Sequence, residues 1–256
     1  MFELAPDLVV MLIFAAFAAG MIDAIAGGGG LITVPALMLA GVPPAQALAT
    51  NKVQGVFGAA TAAYSYARSG HVSPRRQVGA ALLAFAAGMA GAFCVTLIPT
   101  QALRYLLPVL LIGIAAFFAL KPGLSDADRT ARITPLQFTC FVVPLIGFYD
   151  GLLGPGTGAF LMLGFVMLAG YGILKATAHT KLLNFASNLG GLVAFALVGK
   201  PLWLTGLAMG AAQIAGAWVG SRLAMRIGAR LIKPLLVMTS AGLALKLILD
   251  LIAQGG

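Results

Sequence analysis

The chain contains 256 residues, of which 61% are hydrophobic and only 9% are charged, and its mean hydropathy is +1.01. Soluble domains carry about 25% charged residues, so this composition excludes a soluble protein and indicates a membrane protein with several spans. The formal net charge of +9 does not indicate nucleic-acid binding, because the basic residues stand in short loops between apolar segments. With two histidines and two separated cysteines, the sequence predicts neither a metal site nor a cofactor.

Apolar segments that are long enough to cross a bilayer recur along the chain. A crossing helix needs about 20 apolar residues, and each half of the chain also contains one run of about half that length. In chain order, the first half has segments 8–25, 46–68, 77–98 and 102–120 with a short run at 31–41, and the second has 133–153, 175–198, 202–222 and 231–252 with a short run at 159–169. We therefore predict an all-α integral membrane fold of two halves, 1–122 and 133–256, joined by a cytoplasmic linker at 123–132. Each half is predicted to have four long helices and one short helix.

A glycine-rich break precedes each short run. The breaks are residues 27–30 and 154–158, and an aspartate stands one helical turn before each of them, Asp23 and Asp150. Because the two halves align in register beyond the glycines as well, we predict that they arose by internal duplication.

Loop charges predict how the two halves lie in the membrane. The loop 68–76 and the linker are rich in lysine and arginine, which places both in the cytoplasm by the positive-inside rule. In the second half the charges are exchanged: the loop corresponding to 68–76 has only Lys200, whereas the loop corresponding to the uncharged turn at Pro99 carries Arg222 and Arg226. This exchange predicts inverted repeats in which the short helices count as crossings. Re-entrant short helices would instead give parallel halves.

Buried polar groups mark a candidate site for an anion. Backbone that leaves the helical path is tolerated in a membrane only where it lines a cavity, and the N–H groups at a helix start favour an anion. We expect a pathway walled by the breaks and by polar faces of the long helices that follow, although a lysine near a helix end can also snorkel to the interface. The predicted substrate-binding residues are Gly28, Gly29, Gly30, Asn51, Lys52, Gln54, Gly156, Thr157, Gly158, Thr177, Lys181, Asn184 and Asn188.

Four further polar residues have several candidate roles. Asp23 and Asp150 would bind a coupling proton or sodium ion, pair with the lysines, or cap local backbone. His179 is either a group that titrates during transport or a hydrogen-bonded bystander, and Gln213 is either a wall residue or a contact between helices. An intramembrane enzyme is not indicated, because the sequence has no H-E-x-x-H or G-x-S-x-G motif and no catalytic residue is predicted.

Three stretches of the chain carry a family resemblance: 27–35, which ends in Pro35; Ala49-Thr50-Asn51-Lys52; and 154–158 with Thr180-Lys181 downstream. In these stretches the sequence resembles the sulfite exporter TauE/SafE family of membrane transporters. The second glycine stretch departs from the pattern, because it contains Pro155 and lacks a counterpart of Pro35.

The resemblance implies a multi-pass carrier in a plasma membrane of the bacterial inner-membrane type. Its implied substrate is a small anion, such as sulfite or an organosulfonate like sulfoacetate, which it exports or imports by alternating access around the two breaks. The alternative is an anion channel or a membrane subunit of a larger transport system. The expected partners are the anionic substrate, the lipid bilayer and a coupling proton or sodium ion, with a homo-oligomer left open and no nucleic acid.

Overall fold

The computed structural model describes residues 3–99, 101–103, 109 and 127–228. The described residues are mostly helical and contain no strand, which confirms the all-α prediction. The predicted span 231–252 and nearly all of 102–120 lie outside the described residues, as does the first part of the linker. The helices are α1 Pro6–Ala26, α2 Gly30–Leu39, α3 Pro44–Arg68, α4 Pro74–Thr96, α5 Pro135–Leu152, α6 Thr157–Met167, α7 Ile173–Val198 and α8 Trp203–Ile227.

Local sequence signals define where several helices begin. Proline is tolerated at the first helical position, where its missing N–H group would have no helical partner. α5 also has a capping box, in which Thr134 and Gln137 each accept a hydrogen bond from the backbone of the other. One π-helical turn, Phe138–Val142, lies within α5. The helices that begin with proline are those starting at Pro6, Pro44, Pro74 and Pro135.

The described helices have the lengths and surfaces of membrane spans. α1, α4, α5 and α7 are long and apolar enough to cross a bilayer. α3 has 25 residues, but its polar residues face the inside of the bundle. Large apolar side chains such as Phe14, Leu82 and Leu145 are exposed instead, which suits a surface in contact with lipid. The predicted multi-pass membrane protein is thus confirmed.

Corresponding helices of the two halves run in opposite directions. α3 and α7 are antiparallel: the side chain of Gln46, near the start of α3, donates to the carbonyl of Lys200, just after α7 (2.8 Å). The starts of α1 and α8 lie at the same end as Gln46, where the Glu3 carboxylate accepts the amides of Leu204 and Thr205. α4, α5 and α7 begin at the other end, which we call the basic end because arginines of the 68–76 loop and of the linker lie there.

Each short helix returns to the end from which its long partner came. The backbone N–H groups of Arg129 and Arg132 donate to the carbonyls of Gly170 and Leu168, so the start of α5 and the end of α6 lie together at the basic end. α1 and α2 form the corresponding pair from the opposite end. This arrangement favours inverted repeats over parallel ones, while the common origin of the halves stays a prediction.

Glycines allow the helices to cross at close range. A Cβ atom on Gly91 of α4 would overlap the carbonyl oxygen of Phe148 of α5, and one on Gly216 of α8 would overlap the carbonyl of Phe17 of α1. Close backbone contact between small residues is a main source of helix association in membranes. Each crossing joins a helix of one half to a helix of the other half, and the two crossings involve corresponding helices.

We expect Gly91→Ala to destabilise the protein by about 1–3 kcal/mol, because the added methyl group overpacks the α4–α5 crossing. Gly79→Ala is the matched control on the same helix, since Gly79 is exposed and a Cβ there meets nothing within 4 Å. Thermal unfolding of the purified protein in detergent measures both. Equal unfolding temperatures for the two variants would contradict the close crossing.

Candidate functional site

The two glycine breaks meet at the centre of the bundle. A Cβ atom on Gly27 would overlap the backbone of Gly158, and Gly30 lies against Pro155. The backbone at Gly27 and Gly156 has positive φ angles of 76° and 84°, which glycine adopts without the penalty that other residues incur. Both helix interruptions therefore depend on glycine, and they bring the starts of α2 and α6 together.

A cavity, which we call the central cavity, lies between the breaks. The centre of a water-sized molecule fits in about 30 Å³ of it. All its lining residues are polar or glycine, so it suits a small polar or charged solute. The lining residues come from both halves: Asp23, Gly28, Gly29, Gly30, Asn51, Gly55, Asp150, Gly154, Gly156, Thr157, Gly158, Asn184, Asn188 and Gln213.

Two ion pairs flank the central cavity, and each joins one half of the chain to the other. Lys52 Nζ lies 2.8 Å from Asp150 Oδ1, and Lys181 Nζ lies 3.3 Å from Asp23 Oδ2. The side chains of the lysines are 1% and 0% exposed, so neither lysine snorkels to the interface. A buried charge without a partner is costly, and the cross-pairing supplies each lysine with one.

The Asp150 carboxylate is fully enclosed. Besides Lys52, it accepts hydrogen bonds from Ser187 Oγ (2.6 Å) and Asn188 Nδ2 (3.0 Å), and its side chain is 2% exposed. The Asn188 amide also donates to the backbone and side-chain oxygens of Asn184. This network holds the Asp150 side of the cavity in one arrangement.

The Asp23 carboxylate is more open and holds the first break in place. Its Oδ1 accepts the backbone N–H groups of Gly28 (3.0 Å) and Gly29 (3.1 Å), while Lys181 donates to both its side chain and its backbone carbonyl. With 16% of its side chain exposed, Asp23 is less enclosed than Asp150. Two of the predicted aspartate roles, pairing with lysine and capping backbone, are therefore present in one residue.

Asn51 presents a hydrogen-bond donor at the cavity. Its Oδ1 accepts from Thr33 Oγ1 and from Gln54 Nε2, each at 2.7 Å. These two bonds orient the amide so that Nδ2 lies beside Gly30, at the start of α2. Gln54 stands behind Asn51 as its support, with its own Oε1 unpartnered.

The structure separates the predicted site residues into three groups. The glycines of both breaks, Thr157, the two aspartates and the three asparagines line the central cavity. A second group, Lys52, Lys181 and Gln54, lies directly behind the lining and bonds to it.

Thr177 and His179 form the third group and do not line the central cavity, so a role for either of them in transport stays a prediction. The Thr177 hydroxyl donates to the carbonyl of Ile173 and contacts Met162 Sδ, and the His179 ring packs against Phe165. The reason is that α6 covers this part of α7 and separates both side chains from the cavity.

Sequence reasoning overlooked several residues of the site. Ser187 binds Asp150, Thr33 orients Asn51, and Gly55 and Gly154 line the cavity. Ser187 lies three residues after Asn184, within one helical turn, which was the available signal. Gln213 both lines the cavity and packs against Gly58, so it fills both of the roles considered for it. Among the described residues, no group of three or more His, Cys, Asp or Glu could hold a metal ion.

A second and larger cavity lies at the basic end. The centre of a water-sized molecule fits in about 560 Å³ of it, and Lys175, Tyr171 and His179 are among its lining residues. Beside it, Asp128 accepts from Lys175 Nζ (2.8 Å) and from the Gly172 amide (2.6 Å). These two donors lower the pKa of Asp128 below its usual value.

Comparison with known proteins identifies the family. The model of the family described as "Sulfite exporter TauE/SafE" matches residues 12–247. The chain belongs to the TauE/SafE family. This agrees with the resemblance carried by the glycine breaks and the residues around both lysines.

Relatives within the family have names that describe transport. The "Probable membrane transporter protein ORF9" of Sinorhizobium sp is 55% identical over 248 residues, which cover 97% of this chain and 95% of that protein. The Escherichia coli K12 "Probable membrane transporter protein YfcA" is 45% identical over 250 residues, covering 98% and 93%. A "Probable membrane transporter protein" of Haemophilus influenzae is 40% identical over 248 residues, covering 97% of each chain. No solved structure matches this chain.

We expect Lys52→Met to destabilise the protein by about 3–5 kcal/mol, because it leaves the enclosed Asp150 carboxylate without a counter-charge. Adding Asp150→Asn should recover much of that loss, since both charges are then gone and Ser187 still has an acceptor. Lys181→Met should cost less, because Asp23 keeps two amide donors and some solvent. Thermal unfolding in detergent tests the series. Strictly additive effects of Lys52→Met and Asp150→Asn would show that the pair is not coupled.

Proposed function

We propose that the protein is a secondary carrier that moves a small anion through the central cavity. The proposed substrates are sulfur-containing oxyanions or organosulfonates, such as sulfite or sulfoacetate. The observation that carries the proposal is a polar cavity enclosed by two helix breaks from oppositely directed halves. Broken helices at the meeting point of inverted repeats are the usual construction of a substrate site in secondary transporters.

The lining of the cavity offers hydrogen-bond donors to an anion. The starts of α2 and α6 point the positive ends of their dipoles at this region, and Asp23 accepts the Gly28 and Gly29 amides of the first break. Asn51 adds its Nδ2 group from the first half. In the conformation of this structure the cavity fits an oxyanion of a few atoms, and an organosulfonate with a longer body would enter only when the two halves move apart.

Charge balance suggests how transport is coupled to protons. The two lysines and two aspartates cancel one another, so an anion that enters the cavity meets a neutral cluster. A proton on the partly exposed Asp23 would neutralise that carboxylate and leave the Lys181 charge free for the anion. Asp150 has three donors and little exposure, so it is the less accessible proton acceptor. Proton and anion would then enter and leave together.

The ion pairs also relate anion binding to alternating access. Because each pair joins the two halves, a rocking motion of one half against the other must shift or break it. An anion that competes with Asp23 for Lys181 would weaken one of these links. We therefore propose that the Asp23–Lys181 pair breaks during the conformational change. The Asp150–Lys52 pair would stay formed.

Asn51→Asp tests whether the cavity holds an anion. The substitution keeps the acceptor for Thr33 and Gln54 but replaces the donor beside Gly30 with a negative oxygen. In the purified wild-type protein, one of sulfite, sulfate, thiosulfate, sulfoacetate or isethionate should raise thermal stability, by about 2.7 kcal/mol at 100 times its dissociation constant. That gain should vanish in Asn51→Asp.

Thr177→Val serves as the control for this screen, because Thr177 is buried on the same helix as Asn184 but lies outside the cavity, and it should retain the gain in stability. Acetate and chloride test selectivity at equal ionic strength. A wild-type protein that no anion stabilises, or an Asn51→Asp variant that binds as well as the wild type, would refute the anion site.

Asp23→Asn tests proton coupling. In proteoliposomes, wild-type uptake of the anion identified above should increase when the outside is more acidic than the inside. The Asp23→Asn variant should still bind the anion, but its uptake should no longer depend on the pH difference. Uptake that increases with a sodium gradient and does not depend on pH would identify sodium, and not the proton, as the coupling ion. Flux that is stimulated by substrate on the opposite side identifies a carrier, whereas flux proportional to the gradient without exchange identifies a channel.

A further inference from the structure

The cavity at the basic end combines positive charge with aromatic walls. Arg76 and Lys175 supply the charge, and the rings of Phe138, Phe165 and Tyr171 supply apolar surface. We propose that this cavity is a vestibule that binds organosulfonates with an apolar body and delivers them to the central cavity. The inference rests on the proposed transport function and specifies where the substrate first binds and what chemistry it has.

Two helices lead from this vestibule to the central cavity. On α5, Val143 lines the vestibule and Asp150 lines the central cavity, and on α6 the same relation holds between Phe165 and Gly158. Each pair is seven positions apart, or about 10 Å along a helix. The vestibule therefore lies about 10 Å from the central cavity along the same helices.

An apolar layer separates the two cavities. Leu183 of α7 lines the vestibule and stands next to Asn184 of the central cavity. Met162 of α6 lies between Phe165 and Gly158 in the sequence, and the side chains of Leu183 and Met162 are 0% and 1% exposed. Both belong to the buried cluster that also contains Phe165. A charged solute does not pass such a layer while it is closed, so passage from the vestibule to the central cavity requires the halves to move.

The charges at the vestibule can be redirected to a ligand. Arg76 is exposed and makes no ion pair among the described residues. Lys175 pairs with Asp128, but the two side chains are 44% and 55% exposed, and exposed pairs of this kind are weak. A sulfonate can take the place of the Asp128 carboxylate at Lys175, which also lies 4.1 Å from the centre of the Tyr171 ring.

The aromatic walls distinguish this site from one for inorganic anions. The carbon chain of an organosulfonate would lie against the rings of Phe138 and Phe165, which are themselves 4.4 Å apart between centroids. Each buried methylene group raises affinity about fourfold. Butanesulfonate should therefore bind more tightly than methanesulfonate, and methanesulfonate more tightly than sulfate.

Thiol protection in the full-length protein tests the vestibule directly. Thr139 lines it, so Thr139→Cys, in a background with Cys94→Ala and Cys140→Ala, places a reactive thiol at the site. Butanesulfonate should slow the reaction of this thiol with a maleimide in the purified protein. Lys175→Gln should weaken the protection about tenfold, and Asp128→Asn should strengthen it, because it releases Lys175 from its competing carboxylate. Calorimetric titration of butanesulfonate into the protein with native Thr139 measures the same affinities without the thiol.

The vestibule and the central site can fail separately. Protection that persists in Asn51→Asp, while that variant loses transport, supports a vestibule that is independent of the central cavity. Absence of protection and of calorimetric binding would refute the vestibule, even if sulfite still stabilises the wild-type protein and the proposed function stands. Equal protection in the wild-type background, in Lys175→Gln and in Asp128→Asn would also refute the vestibule. Such a result would show that the charged groups do not contribute to binding.

Discussion

The arrangement of this protein depends on the cost of burying charge in a membrane. Lys52 and Lys181 lie inside the bundle with almost no exposure, and each is neutralised by an aspartate of the opposite half. A lysine left alone there would be far more expensive than the same lysine near a surface. The two pairs therefore link the halves at the level of the helix breaks, and the position of the cavity follows from that link.

The glycine breaks obey the same constraint through their backbone. Polar backbone groups released from a helix need partners inside the membrane. Asp23 accepts two amides of the first break, and Tyr149 and Thr157 donate to carbonyls of the second. The breaks use different partners, so the symmetry of the fold does not extend to its hydrogen bonds. The groups that remain available line the central cavity, which gives the proposed anion its binding partners.

Symmetry and asymmetry have separate consequences for the proposed transport. The oppositely directed halves provide two similar bodies that can exchange roles across the membrane. The cavity itself is uneven, because Asn51 comes from α3 and is oriented by residues of α2 and α3, whereas the asparagines beside Asp150 come from α7. An uneven cavity can bind a ligand in one orientation. The two ion pairs also have different surroundings, so they can have different functions.

The sequence by itself determined the helical spans, the glycine breaks, the family and most of the cavity lining, because hydropathy and helix interruption are local properties of the chain. The loop charges predicted the opposite directions of α3 and α7. Only the tertiary structure decided which aspartate each lysine binds: Lys52 follows Asp23 in the sequence, yet it pairs with Asp150. It also decided that α6 removes Thr177 and His179 from the cavity. Helical spacing shows which residues share a face, but the neighbour that covers that face depends on how the two halves meet.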